Sequence, residues 1–367
     1  MAGERPRKQH DSTAPVPIRD GSTAAERSRR RHDSTAQVPA TDRATARIAN
    51  HQAAFDATLK EVFLTQGVQL REPLGQASKE TVVYAGLYQG EEVALKVFTF
   101  ASDDLGEVAA AYGAFKVECE KTMVLSRRSR AIVQVLEYGD TSLPGDMPDE
   151  LRAFFPLQLI PFMITERAPY GSLDGVSKKW RKLPGFDRIG LMEAVAAATD
   201  GIKEAHDHQV AHRDIKPQNL LIFGPKEGKI ADFGVARWRS RLSRADSVML
   251  TPRYCSPEQA LHALTGRHEG LVGISGDIYS WAVMVYELVT GKHPFDWALK
   301  SQRDPREQQR AIIKAIASND RRGFVPTGDI TFDSLIDRCT CDLKHRIRNI
   351  AVANRVLREL VKRMRMN

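Results

Sequence analysis

Apolar and polar residues alternate in three short runs early in the chain, Val68 to Leu74, Glu80 to Tyr88 and Glu91 to Phe98. Alternation with period two sends successive side chains to opposite faces, so each run is a predicted β-strand. Gly75 and the Tyr88-Gln-Gly step mark the turns between them. A helical pattern follows over Val108 to Leu125, then two more strand-like runs, Ile132 to Tyr138 and Phe162 to Arg167, with a Pro-containing insertion, Thr141 to Pro156, between them. From Phe186 onward the apolar period lengthens to that of helices: Ile189 to His206, Ile278 to Thr290, Arg306 to Ala317, and Phe332 to Arg363 with a break. A short helical stretch, Ala53 to Leu64, precedes everything else. Strands first and helices second predict an α+β fold, with a sheet-rich N-terminal lobe carrying one helix and a mainly helical C-terminal lobe.

Composition sharpens the boundaries. The chain has 367 residues, 42% hydrophobic and 27% charged, which excludes collagen-like, wholly disordered and disulfide-scaffold proteins. Lys and Arg number 54 against 46 Asp and Glu, a formal charge of +8. Residues 1–50 hold ten of the bases and six of the acids, so half of that excess sits there. The same segment has no aromatic residue, the first being Phe55, and cannot bury enough apolar surface to offset its ordering entropy. It reads as a disordered basic tail over 1–52, in which RPRKQHDSTAPVP from Arg5 is echoed by RSRRRHDSTAQVP from Arg27, 22 residues later. Residues 53–67 read as a helical lead-in, 68–361 as one two-lobed domain divided at 166/167, and 362–367 as its end.

The charge distribution leaves nucleic-acid binding as no more than weak contacts of the tail. Of four cysteines, only Cys339 and Cys341 are close, and they lack a second pair or a His cluster for zinc. No apolar stretch approaches the length of a membrane span, and no apolar run follows the basic start. These features predict a cytoplasmic protein with reduced thiols and no membrane partner.

The chemistry concentrates in HRDIKPQNLLIFGPKEGKIADFG, residues 212–234. Phosphoryl transfer from a nucleotide needs a carboxylate to receive and orient the acceptor hydroxyl (Asp214) and a cation to steady the phosphate in flight (Lys216). It also needs hard oxygen ligands to hold magnesium against the phosphates, here Asn219 and a second carboxylate, Asp232. The stretch resembles the catalytic and DFG loops of the eukaryotic-type (Hanks-type) serine/threonine protein kinases. Further signatures stand in order: VALK at Val93 to Lys96, TPRYCSPE at Thr251 to Glu258, GDIYSW at Gly276 to Trp281 and DLKHR at Asp342 to Arg346.

The resemblance implies a bilobal kinase fold using ATP and Mg2+, with Mn2+ as a substitute, to phosphorylate Ser or Thr of protein substrates. It implies that Lys96 grips the α- and β-phosphates and pairs with a glutamate on the helix at 108–125. Glu120 is selected, because Met123 and Val124 follow it at core spacing, whereas Glu118 is followed by Lys121 and Thr122 and reads as a solvated-face residue. Glu166 and Ala168 are the implied hinge contacts of adenine, Thr165 the gatekeeper, and Val82, Ala94 and Leu221 the apolar surfaces around the base. Asp277 would brace the catalytic loop, Glu258 would pair with Arg346, and Thr251 would bond Asp214 and Lys216. His206 and His212 read as structural.

One departure stands out. Where the family has G-x-G-x-x-G-x-V, this chain reads G-Q-A-S-K-E-T-V from Gly75 to Val82, with Ala77 and Glu80 in place of the later glycines. Glycines there let backbone amides approach phosphates, so weaker ATP binding is expected, and a pseudokinase scaffold is the alternative to an active enzyme. Every polar group that performs the chemistry is nevertheless present. Arg213 before Asp214, with the run RWRSRLSR at 237–244, predicts autophosphorylation at Ser247 or Ser243.

Overall fold

The computed structural model describes residues 52–75, 81–100, 104–233, 252–265, 273–300 and 304–366. The expectations for the tail and its repeat, and those for Ala77, Glu80, Ser243, Ser247 and Thr251, fall outside these residues. The N-terminal part runs α1 (Gln52–Thr65), β1 (Val68–Pro73), β2 (Thr81–Tyr88), β3 (Glu91–Phe98), α2 (Leu105–Arg128), β4 (Val135–Ser142), the single turn α3 (Asp149–Arg152) and β5 (Leu159–Glu166). Its strands pair antiparallel in the order β1-β2-β3-β5-β4.

Alternation along the strands gives this sheet two different faces. Val82 and Tyr84 of β2, with Val93, Leu95 and Val97 of β3, face a layer formed by Phe55, Leu59 and Phe63 of α1 and by Met147, Leu151, Phe154 and Phe155 of the β4–β5 insertion. Phe98 and Met163 point the other way, into a cluster with Val108, Ala111, Phe115 and Cys119 of α2. Asp104 caps α2, its carboxylate accepting from the amides of Gly106 and Glu107.

The C-terminal part contains α4 (Leu173–Lys179), α5 (Arg188–Asp207), the hairpin β6 (Leu220–Gly224) and β7 (Glu227–Ile230), then α6 (Pro257–Thr265), α7 (Ile274–Thr290), α8 (Pro305–Ala317), α9 (Ile330–Thr340) and α10 (Ile350–Met366). Helix α7 is buried throughout the span from Ile278 to Tyr286, which is apolar on nearly every side, the behaviour of a central core helix. Its Trp281 is fully buried and donates its indole N–H to the Thr199 hydroxyl of α5 at 2.8 Å. Among the described residues no helix is long and apolar enough to cross a membrane.

Candidate active site

The loop between α5 and β6 is organised from below by a single carboxylate. Asp277, in the first turn of α7 and 1% exposed, accepts from the backbone amides of His212 (2.7 Å) and Arg213 (2.6 Å) and from His206 Nε2 (2.8 Å). His212 is wholly buried and its Nε2 donates to the Ala231 carbonyl at 2.7 Å, which ties the loop to the segment that follows β7 and carries Asp232. The brace expected of Asp277 and the structural parts expected of both histidines are therefore visible as contacts.

Held this way, Asp214 gathers its neighbours. Lys216 Nζ lies 2.7 Å from Asp214 Oδ2. The amide nitrogen of Asn219, in the turn Pro217–Asn219, donates to the Asp214 carbonyl (2.7 Å) and to its Oδ2 (3.1 Å), so its amide oxygen is the group left for a cation. The β6–β7 hairpin sets Asn219 before one strand and Asp232 after the other, and the Ala231 amide donates to the Asn219 carbonyl at 2.8 Å. Asp232 has a φ of 65°, a left-handed backbone that a non-glycine residue adopts only when its surroundings impose it.

Across the cleft, Lys96 of β3 forms an ion pair with Asp232. The two sequence-predicted groups thus meet directly. Helix α2 packs beside them: Cys119 sits in a buried cluster with Phe98, two residues beyond Lys96, and with Met163 of β5, and burial pushes its thiol well above its usual range. The α2 residue that turns inward next to Cys119 is Glu118, 8% exposed, whereas Glu120 is exposed. The expectation that Glu120 faces the core and Glu118 the solvent is corrected accordingly. Thr122, polar by type, is buried because its hydroxyl donates to the Glu118 carbonyl at 2.7 Å, while Val124 is left 48% exposed. The inward stripe is therefore Val108, Ala111, Phe115, Glu118, Thr122 and Leu125.

The walls of the cleft follow from strand register. Ala94 pairs with Ala85 and with Thr165, and Lys96 with Val83, so all of these side chains share one face. Val82 pairs with Val97 on the opposite face, 1% exposed beneath α1, and the assignment of Val82 to the cleft is corrected to Val83. Leu221 of β6 is half-buried between buried neighbours, and its backbone bridges Ser172. At the hinge, the Thr165 hydroxyl lies 3.4 Å from the Ala94 carbonyl, and the Ala168 carbonyl accepts from Gly171 N–H at 3.2 Å. The Glu166 carboxylate holds Lys229 of β7 through both oxygens (2.9 and 2.7 Å) and accepts from the Gln134 amide (2.8 Å). Gly75, just past the end of β1, has a φ of 79°, which suits glycine. Within the C-terminal part, Arg346 makes a bidentate pair with Glu258 (3.2 and 2.8 Å), as the family resemblance implied.

The family model described as protein kinase domain matches residues 69–355. The chain belongs to the protein kinase family. Its curated relatives include serine/threonine-protein kinase PrkC of Bacillus subtilis, 38% identical over 112 residues, which are 30% of this chain and 16% of that protein. Probable serine/threonine-protein kinase PknB of Corynebacterium glutamicum is 29% identical over 217 residues, 56% of this chain and 28% of the relative. Serine/threonine-protein kinase PknA of Mycobacterium tuberculosis is 29% identical over 183 residues, 49% of this chain and 37% of the relative. The chain thus spans less than two fifths of the length of each.

Within this kinase domain, the two corrections have one origin. Neither apolar spacing along α2 nor the motif position of Val82 says which face of its element the neighbouring layer covers, and Glu118 and Val83 are the residues so missed. The signal for Val83 lies in β3, where Val93, Leu95 and Val97 alternate with Ala94 and Lys96 and leave the lysine on the other face; pairing then selects every second residue of β2. For Glu118 the signal is Cys119 beside it and Phe115 one turn before it, residue types more strongly buried as a class than Glu120 and Lys121, which lie one turn from Val117 and from Val124.

Proposed function

We propose that the chain transfers the γ-phosphoryl group of ATP to Ser or Thr hydroxyls of cytoplasmic protein substrates. The observation that carries this reading is the convergence of Asp214, Lys216, Asn219, Asp232 and Lys96 in one cleft between a sheet and a helical body. Asn219 and Asp232 offer an amide and a carboxylate oxygen, hard donors that fit Mg2+ or Mn2+. A metal bound there would neutralise phosphate charge.

The chain's own residues supply the rest. Asp214 orients the acceptor hydroxyl and takes its proton, and Lys216, already paired with that carboxylate, screens charge between base and phosphate. Lys96 exchanges Asp232 for the α- and β-phosphates, with Glu118 on the neighbouring helix face as its supporting carboxylate. Ala94, Val83 and Leu221 enclose the base, which the backbone of Glu166 and Ala168 contacts.

Transfer of labelled phosphate from Mg-ATP to a generic basic protein, compared between the wild type and Asp214→Ala, tests the proposal. A loss of at least about 100-fold is expected for the variant. Equal labelling by both proteins, or ATP binding without any transfer by the wild type, would defeat it.

A further inference from the structure

Helix α1 lies outside the residues matched to the kinase family and packs on the sheet face opposite the cleft. It is nevertheless built into the core. Phe55, fully buried, stacks on Phe155 (6.0 Å between centroids, 5° between planes) and meets Phe154 edge-on (6.0 Å, 79°). Asp56 accepts the Tyr84 hydroxyl of β2 at 2.5 Å. Both phenylalanines belong to the β4–β5 insertion, so α1 and the insertion form one cap over the outer face of the sheet.

The cap reaches α2. The Phe154 carbonyl accepts the amide of Phe100 at 3.1 Å, and Phe100 lies on the connection from β3 to α2. The Phe100 ring, 2% exposed, meets Tyr112 of α2 edge-on at 6.2 Å. Tyr112 stacks on Phe115 at 6.2 Å and bonds Asp140 of β4 through its hydroxyl. Phe115 precedes Glu118 by about one helical turn. A contiguous series of contacts, mostly between packed rings, therefore runs from α1 to the helix face that carries Glu118. Val117 and Val124 are exposed on the opposite side of α2, so the helix is gripped from one side. Packed rings do not deform continuously, and a shift at one end of such a series is passed along it.

We propose that the α1–insertion cap positions α2 for phosphoryl transfer, with Phe55 and Phe154 as positioning residues that act through Glu118. This rests on the kinase activity proposed above. Phe55→Ala and the milder Phe55→Leu, each made in the full chain with Glu118 intact and with Glu118→Gln, give a double-mutant cycle on kcat and on KM for ATP and peptide. Assays are run below the onset of each variant's thermal melt. With Glu118 intact, Phe55→Ala should lower kcat by about fivefold or more while leaving KM for peptide unchanged, and Phe55→Leu should restore most of it. With Glu118→Gln, the same substitution should change kcat by less than about twofold. Deuterium exchange should accelerate in α2 and not in α7. Equal losses in both backgrounds, or unchanged exchange in α2, would overturn the proposal; if Phe55→Ala does not fold, Phe55→Leu and Phe154→Leu carry the same comparison. Failure of the wild type to transfer phosphate would overturn the activity instead, and the exchange pattern would still decide whether the cap governs α2.

Discussion

Arg213 and Asp232, on either side of the β6–β7 unit, both hold left-handed backbone angles, 69° and 65°. Such angles at non-glycine residues cost on the order of 1–3 kcal/mol each and persist where neighbours over-determine them. Here the neighbours are the Asp277 carboxylate on the Arg213 amide and the imidazole of His212 on the residue before Asp232. The same reasoning about what a side chain faces separates the two glutamates that flank Cys119. Glu118→Ala should reduce kcat/KM for ATP by at least about tenfold, because it removes the carboxylate proposed to support Lys96, while Glu120→Ala should stay within about twofold. Steady-state kinetics on both variants decides between them, and the reverse order would return Glu120 to the site. The grouping of Asp214, Lys216, Asn219 and Asp232 is legible in the sequence because they lie within one loop and hairpin, and the resemblance to the kinases supplies the roles proposed for them. Glu118 and Val83 are not, because each depends on which face a neighbouring element covers, and that is a non-local fact.

At the scale of elements, Arg346 shows how distant segments are locked. Its side chain is fully buried, bidentate to Glu258 of α6, and also bonded to the carbonyls of Cys341 and Ser275. Removing one partner leaves an unpaired buried charge, so Arg346→Met should cost about 3–5 kcal/mol in a denaturant melt, and Glu258→Leu added to it should recover part of that loss. An additive loss in the double variant would contradict a direct pairing. The strand and helix periods identify most elements, including the break between α9 and α10 near Cys341 to Asn349. What they do not reveal is the cap. Ala53 to Leu64 and Thr141 to Pro156 read as a lead-in and an interruption, and only the ring contacts of Phe55 with Phe154 and Phe155 make them one layer.

For the whole molecule, one contribution to acid sensitivity comes from His293, buried against the Pro252–Tyr254 turn with its ring edge-on to Tyr254. Burial, reinforced by the charge of Arg253, lowers its pKa from the usual 6.5 to about 3. Between those values the unfolded chain binds a proton at this residue that the folded one does not, so the contribution of His293 to stability is complete above about pH 6.5 and is lost as pH drops toward 3. The slope for one proton is about 1.4 kcal/mol per pH unit. Melting temperatures of the wild type and His293→Phe between pH 7 and 4 should diverge, the variant showing the shallower decline; parallel curves would remove His293 as the cause. The two halves of the site are anchored to different masses. Asp214 hangs from Asp277 and so from the interior of the helical body, whereas Lys96 rides on the sheet and its cap. The loop is thus tied to the core beneath it through the two amides that Asp277 accepts, and a displacement of the sheet against the helical body would part Lys96 from Asp232 without disturbing the interior of either half.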